Sequence, residues 1–200
     1  RLLALARVQI ANSDYAGASA ALSRASGAVE TILASSSNPG ARSSLINAMS
    51  AIFNEEFLLH ARQLKDLSGA WEVLESSRAQ LAVADNPLVL PRQAITIQSL
   101  QKELSDDDVL LEYVLADPRS FCFVITRTAA RLVELPSSKD LDPLLTSYFE
   151  ALQKKQVAGT TAQSVYRNLL GPMRTELSGR KRILLARHGS MHKVPIESLI

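Results

Sequence analysis

Residues 182–200 read RILLARHGSMHKVPIESLI, and their interpretation sets the architecture of the whole second half of the chain. Arg182–Ala186 is a short apolar run of the kind that fills a buried strand. Arg187, His188 and Gly189 interrupt it, and Pro195 follows closely, so the strand has to end in a turn. Immediately upstream lie two patterns with helical spacing. Leu141, Leu144, Leu145, Tyr148, Phe149 and Leu152 mark one apolar face; Val165, Tyr166, Leu169, Leu170, Met173 and Leu177 mark the other. Gly171-Pro172 falls inside the second pattern, where the ring removes a helical hydrogen bond, and predicts a kink or a restart. A strand reached through two helices is an α/β crossover.

Further upstream, VLLEYVLA (109–116), SFCFVIT (120–126) and ARLVELP (130–136) are short, rich in β-branched and aromatic residues, and separated by turns such as Asp117-Pro118. Their short connections predict an antiparallel meander, because a parallel return needs a crossover. With the strand at 182–186 the sheet becomes mixed. The acidic stretch SDDD (105–108) lacks the alternating oxygen ligands of a hard-cation loop and is expected to be a solvated turn.

Residues 1–84 differ in character, being rich in Ala, Leu and Ser with apolar residues three and four apart. In SSLINAMSAIFNEEFLLHARQL (43–64), Leu45, Met49, Ile52, Phe53, Phe57, Ala61 and Leu64 fall on one stripe, and His60 lies at its edge as a surface histidine. SSSNPGAR (35–42) has the chemistry of an inter-helix loop, so helical hairpins are expected, with Trp71 in their core. DYAGASAALSRA from Asp14 resembles DLSGAWEVLESSRA from Asp66, a faint repeat that places a helix-capping Asp before Gly and Ala at a close helix approach. Glu75 and Arg78, three apart, make a solvated ion pair. DNPLVLPRQ (85–93), with Pro87 and Pro91, marks the joint. The domain plan is therefore a helical region at 1–84, a proline-containing linker at 85–96, and a strand-and-helix domain at 97–200.

This arrangement resembles the start of a CHAT domain, the caspase-like module found after tetratricopeptide repeats. The likeness is carried by LLEYVL, FCFVIT, LVELP, VYRNLLGPM and the closing stretch. In that family the closing stretch reads strand, Pro-Asp-Gly, one residue, Leu-His, then a proline and an aromatic-x-x-Leu. Gly189, His192, Pro195, Glu197 and Leu199 match as a structural motif; Arg187 and His188 replace Pro-Asp, Met191 replaces Leu, and Ile196 replaces the aromatic. The resemblance implies tetratricopeptide-like helices followed by an incomplete caspase-like α/β sheet. It also implies a cysteine peptidase whose His-Gly and Cys lie downstream of residue 200, so that this chain holds no catalytic residue. The alternative is a non-catalytic scaffold, in which the repeats bind a protein or peptide partner and the peptidase-like part has lost its dyad.

The remaining residues are consistent with that plan. Cys122 alternates with Phe121 and Phe123 inside a strand, where packing rather than reactivity is expected. His188 and His192 are four apart but flank a turn rather than sharing a helix face, and no third ligand is near in sequence, so neither a metal nor a cofactor is expected. The ring of His192 is expected to hold the turn by hydrogen bonds, and His188 either takes over the role of the replaced Asp or is an exposed side chain. Arg174, Arg180, Lys181, Arg182, Arg187 and Lys193 form the one local excess of positive charge, broken by strand residues. With a net charge of +2, nucleic-acid binding is not expected. Every apolar run is shorter than the roughly 20 residues a membrane span needs. No phosphate-binding Gly-rich loop, Gly-x-Ser-x-Gly or His-Glu-x-x-His occurs. One cysteine suits a reducing compartment, and a cytoplasmic location follows as the expectation, with the oligomeric state open.

Overall fold

The structure, a computed structural model, describes residues 1–36, 38–85, 95–155 and 159–199. The chain is mostly helical, with one small mixed sheet, and divides into two compact units, Arg1–Ile97 and Gln98–Ile200. The prolines expected to mark the joint, Pro87 and Pro91, lie outside the described residues.

The first unit is a run of helices, each packed on the next: α1 (Leu2–Ala11), α2 (Tyr15–Ser35), α3 (Pro39–Leu58) and α4 (Leu67–Asp85). α3 begins with Pro39 in the first turn, where its missing N–H is no loss, and the Asn38 side chain accepts from the amides of Gly40 and Ala41. Its core is built from small residues, Ala6, Ala18, Ala21 and Ala25, around Leu22, Ile52 and Leu59, which lets the helix backbones approach closely. Trp71 is 3% exposed, and its indole N–H donates to the carbonyl of Ile95 at 2.6 Å.

The faint repeat is a repeat of geometry. Asp14 accepts from the Gly17 amide at 2.9 Å and from Gln9 Nε2 at 3.2 Å; Asp66 accepts from the Gly69 amide at 3.0 Å and meets His60 Nδ1 at 3.0 Å. Ser13 and Lys65, each just before the capping Asp, both have left-handed backbone, with φ of 61° and 51°. Asp14, Gly17 and Ser13 match Asp66, Gly69 and Lys65 at an offset of 52, whereas Gln9 matches His60 at 51. The extra residue of the second copy, where His60 precedes Asp66 by six positions against five for Gln9 and Asp14, is absorbed by a π-helical turn over Leu59–Leu64, one residue wider than an α-turn.

That π-turn corrects two expectations. Extending the α-helical stripe places Ala61 and Leu64 in the core, but the wider turn rotates the end of the helix. Leu59 is fully buried and Leu64 is 42% exposed. His60 is not a surface histidine: it is half-buried and bonded to Asp66. The Gly69 amide first, with help from the His60 ring, holds the Asp66 carboxyl below its ordinary value.

The second unit opens with α5 (Ile97–Glu103), which runs into it from the boundary, followed by β1 (Asp108–Val114), β2 (Ser120–Ile125) and β3 (Ala130–Leu135). β1–β2 and β2–β3 pair antiparallel, as the short turns require. α6 (Ser138–Gln153) and α7 (Gly159–Leu169) carry the chain across to β4 (Arg182–Ala186), which pairs parallel with β1 and gives the order β3-β2-β1-β4. The helix pattern breaks at Gly171-Pro172 into a 3-10 turn (Gly171–Met173) and a short restart, α8 (Arg174–Leu177).

One sheet face and the two covering helices share a core of Val109, Leu111, Tyr113, Cys122, Val124, Leu141, Leu145, Tyr148, Val165 and Leu169. Each fully buried aliphatic chain here contributes about 1.5–3 kcal/mol. Tyr113 carries a second duty. The Met173 amide turns to Leu170, which leaves the Leu169 carbonyl at the end of α7 without its helical partner, and the Tyr113 hydroxyl donates to it at 2.9 Å.

Candidate functional site

The strongest polar constellation lies where β1 and β4 begin. Asp106, Asp107 and Asp108 run alongside Arg180, Lys181 and Arg182, with acid against base at two of the three positions. Arg180 donates to the Asp106 carbonyl, Lys181 Nζ meets Asp107 at 2.7 Å, and Arg182 grips Asp108 through Nε at 2.8 Å and Nη2 at 2.5 Å. Asp108 is 2% exposed, and its second oxygen also accepts from the Ser105 amide at 2.8 Å. Arg182, followed by the Ser105 amide, holds its carboxyl far below the ordinary range.

The expected solvated acidic turn is present at residues 105–107 and is corrected at Asp108, which is buried and paired. The same contact ion-pairs two of the six residues of the basic cluster, Lys181 and Arg182. Arg187 is also paired, bonding both oxygens of Glu197 at 2.8 and 3.1 Å. Of the six cations, Arg174, Arg180 and Lys193 make no ion pair among the described residues, Arg180 bonding instead to the backbone carbonyls of Asp106 and Glu176. The sequence held the signal for this contact, SDDD and RKR as complementary triplets at strand starts, but a pairing partner 74 residues away is invisible to local spacing.

At the opposite end of the same two strands is the turn that carries the matched motif. Open α/β sheets bind ligands outside the carboxyl ends of their strands, so this edge is the natural place for chemistry. Gly189 has φ +56°, a conformation that favours glycine, and opens a 3-10 turn over Gly189–Lys193; a second 3-10 turn covers Ile196–Leu199. Met191, Val194 and Ile196 are fully buried, Leu199 packs at the edge of the same core, and Pro195 is half-buried with its carbonyl accepting from Ser198. Ser190 donates to Asp142 at 2.6 Å and the Tyr148 hydroxyl lies 2.8 Å from Ser198 Oγ, so α6 pins the segment at two points. Neither Asp142 nor Ser198 was singled out by the sequence, since both contacts join residues about fifty positions apart.

The expectation for His192 is corrected, and of the two alternatives for His188 the structural one holds. His192 is exposed and makes no hydrogen bond among the described residues, so it does not hold the turn. His188 does: the Leu115 amide, just past the end of β1, donates to its Nδ1 at 3.2 Å. The side chain at the Asp position of the family pattern supplies the acceptor. Among the described residues no three His, Cys, Asp or Glu side chains come together in the way a metal would need.

Cys122 sits on the core face of β2, opposite Tyr113 in register and fully buried. Burial pushes its thiol far above the ordinary range, which keeps it protonated and poorly nucleophilic. In the helical unit, Glu75 and Arg78 pair at 3.2 Å, with Glu75 the more sheltered. A groove of about 470 Å³ runs between α2, α3 and α4; Glu30, Glu56, Glu72 and His60 line it together with Ser23, Ser26 and Ser76. Burial raises the Glu56 carboxyl above its ordinary value, partly offset by His60. No described helix is long and apolar enough to cross a membrane. No family model matches this chain, and no curated protein or solved structure does so either.

Proposed function

We propose that the chain combines tetratricopeptide-like helices with the opening, non-catalytic portion of a caspase-like CHAT domain, in a cysteine peptidase acting on proteins. The observation that carries this reading is the β3-β2-β1-β4 sheet. β4 lies parallel at its edge, Ile183, Leu184 and Leu185 are only half-buried there, and a glycine turn with an acceptor side chain follows directly. A half-covered apolar edge strand is the place where a further parallel strand would add. The nucleophile and its base are assigned to segments following residue 200, and residues 97–200 to supporting them. The helical part departs from the tetratricopeptide pattern in one respect, since its offset of 51–52 residues exceeds the 34 of that repeat. A reducing, cytoplasmic setting fits the single buried thiol.

The test is twofold. The reading frame after Ile200 should encode a strand followed by His-Gly and then a strand followed by Cys. A thiol-directed peptidyl probe should label that downstream cysteine in the longer polypeptide and leave Cys122 of the present chain unlabelled. Stoichiometric labelling of Cys122 in the native chain, or a continuation with no such pair, defeats the peptidase reading. The groove between α2, α3 and α4 supports the second reading, a partner-binding scaffold with no dyad. A continuation lacking His-Gly and Cys, together with retained partner binding, selects it.

A further inference from the structure

A groove of about 620 Å³ lies in the second unit between α7, the 3-10 turn after it and the closing 3-10 turn. That volume is within the range of sites that bind small ligands or short peptides. Its lining is mainly apolar, with Ala162, Tyr166 and Leu199, and its charged members are Arg167 and Arg174, with no acid among them. Both arginines are exposed, and neither makes an ion pair among the described residues. Their neighbour Glu176 is already engaged with Arg131 at 2.6 Å. Around β4, Lys181, Arg182 and Arg187 are neutralised by Asp107, Asp108 and Glu197 and Arg180 is bonded to backbone carbonyls, whereas the two groove arginines keep their charge without an acid beside them.

We infer that the groove between α7 and the closing turn docks an acidic peptide, with an apolar side chain over Tyr166 and Leu199 and a carboxylate between Arg167 and Arg174. The charge complementarity is local, because two guanidinium groups presented without competing acids match carboxylates in paired hydrogen bonds. An apolar floor with only two cations disfavours nucleic acid, whose binding rests on many phosphate contacts. The inference is independent of whether a catalytic pair exists.

Fluorescence anisotropy on the whole chain tests it, with a fluorescein-labelled decapeptide of alternating Leu and Glu, its Leu/Gln counterpart, and a labelled ten-nucleotide oligo-dT. The Leu/Glu peptide should bind, and the Leu/Gln peptide should bind at least about tenfold more weakly, the loss expected for two charge-assisted bonds. Arg167→Glu with Arg174→Glu should weaken the Leu/Glu peptide by at least the same factor while the circular dichroism stays unchanged. Lys193→Glu, a cation outside the groove, should leave binding as it was. Equal binding of the two peptides overturns the inference even if the double variant misfolds. So does tighter binding of oligo-dT, concentration-dependent self-association that competes with the peptide, or no binding.

Discussion

Asp108 and Arg182 join the first residues of the two parallel strands through a two-point contact, Oδ1 to Nε at 2.8 Å and Oδ2 to Nη2 at 2.5 Å. They are also direct partners in the strand register, so the contact fixes both the alignment and the depth of β4 against β1. A one-residue slip would break the Asp107–Lys181 and Asp108–Arg182 pairs and turn the apolar residues of β4 to the other face.

This pair sets an acid limb of stability. Because the native carboxyl titrates far below its unfolded value of 3.8, its contribution is complete above that value and is lost as the pH falls towards the native one. Asp108→Asn should lower the unfolding temperature by several degrees at about pH 7, and the gap to the parent chain should narrow towards about pH 2. Thermal unfolding of both chains across that range measures it. A gap that is constant with pH would show that the carboxylate charge is not what matters.

Tyr113→Phe keeps the packing of the ring and removes the hydroxyl that donates to the Leu169 carbonyl. Loss of a buried hydrogen bond of this kind costs about 1–2 kcal/mol. Urea unfolding should show the loss with an unchanged m-value. Amide exchange should rise first around Leu169–Met173, where α7 ends; uniform exchange across the unit would place the effect elsewhere.

The π-turn makes the two capping sites unequal. A Cβ on Gly69 would come within 2.1 Å of His60 Nδ1 and 2.3 Å of Asp66 Oδ2, and one on Gly17 would meet Gln9 and Asp14 equally closely. Asp14 is exposed and Gln9, though half-buried, is an unbranched chain that can rotate aside, and the gain in helix propensity offsets the loss of the cap, so Gly17→Ala should be close to neutral. His60 is half-buried and cannot leave as freely, so Gly69→Ala should cost about 1 kcal/mol. Denaturation midpoints compare the two; equal effects would contradict the asymmetry.

The roles of the two histidines are testable by the same method. His188→Ala strips the Leu115 amide of its acceptor and should cost about 1 kcal/mol. His192→Ala, at an exposed site, should stay within about 0.5 kcal/mol of the parent. The opposite order would return the structural role to His192.

The meander, the crossover, the break at Gly171-Pro172 and the apolar faces of α6 and α7 were legible in the sequence because each rests on short-range periodicity or on proline chemistry. Val165, Leu169 and Leu170, spaced on one helical face, are all buried. His60, by contrast, was misread because one extra residue in a π-turn leaves the local composition unchanged while it rotates everything after it. His192 was expected to hold the turn and the two alternatives for His188 stayed open because position in a motif does not say which ring nitrogen faces an unpaired amide.

What the amino-acid order determined by itself is therefore local: which segments are strands or helices, where each begins, and which side of each is apolar. The tertiary structure decided the polar pairings, Asp108 with Arg182, Leu115 with His188, Tyr113 with Leu169 and Asp142 with Ser190. Each joins positions roughly fifty or more apart, and a hydrogen bond depends on angstrom-scale placement that only the packed layers supply.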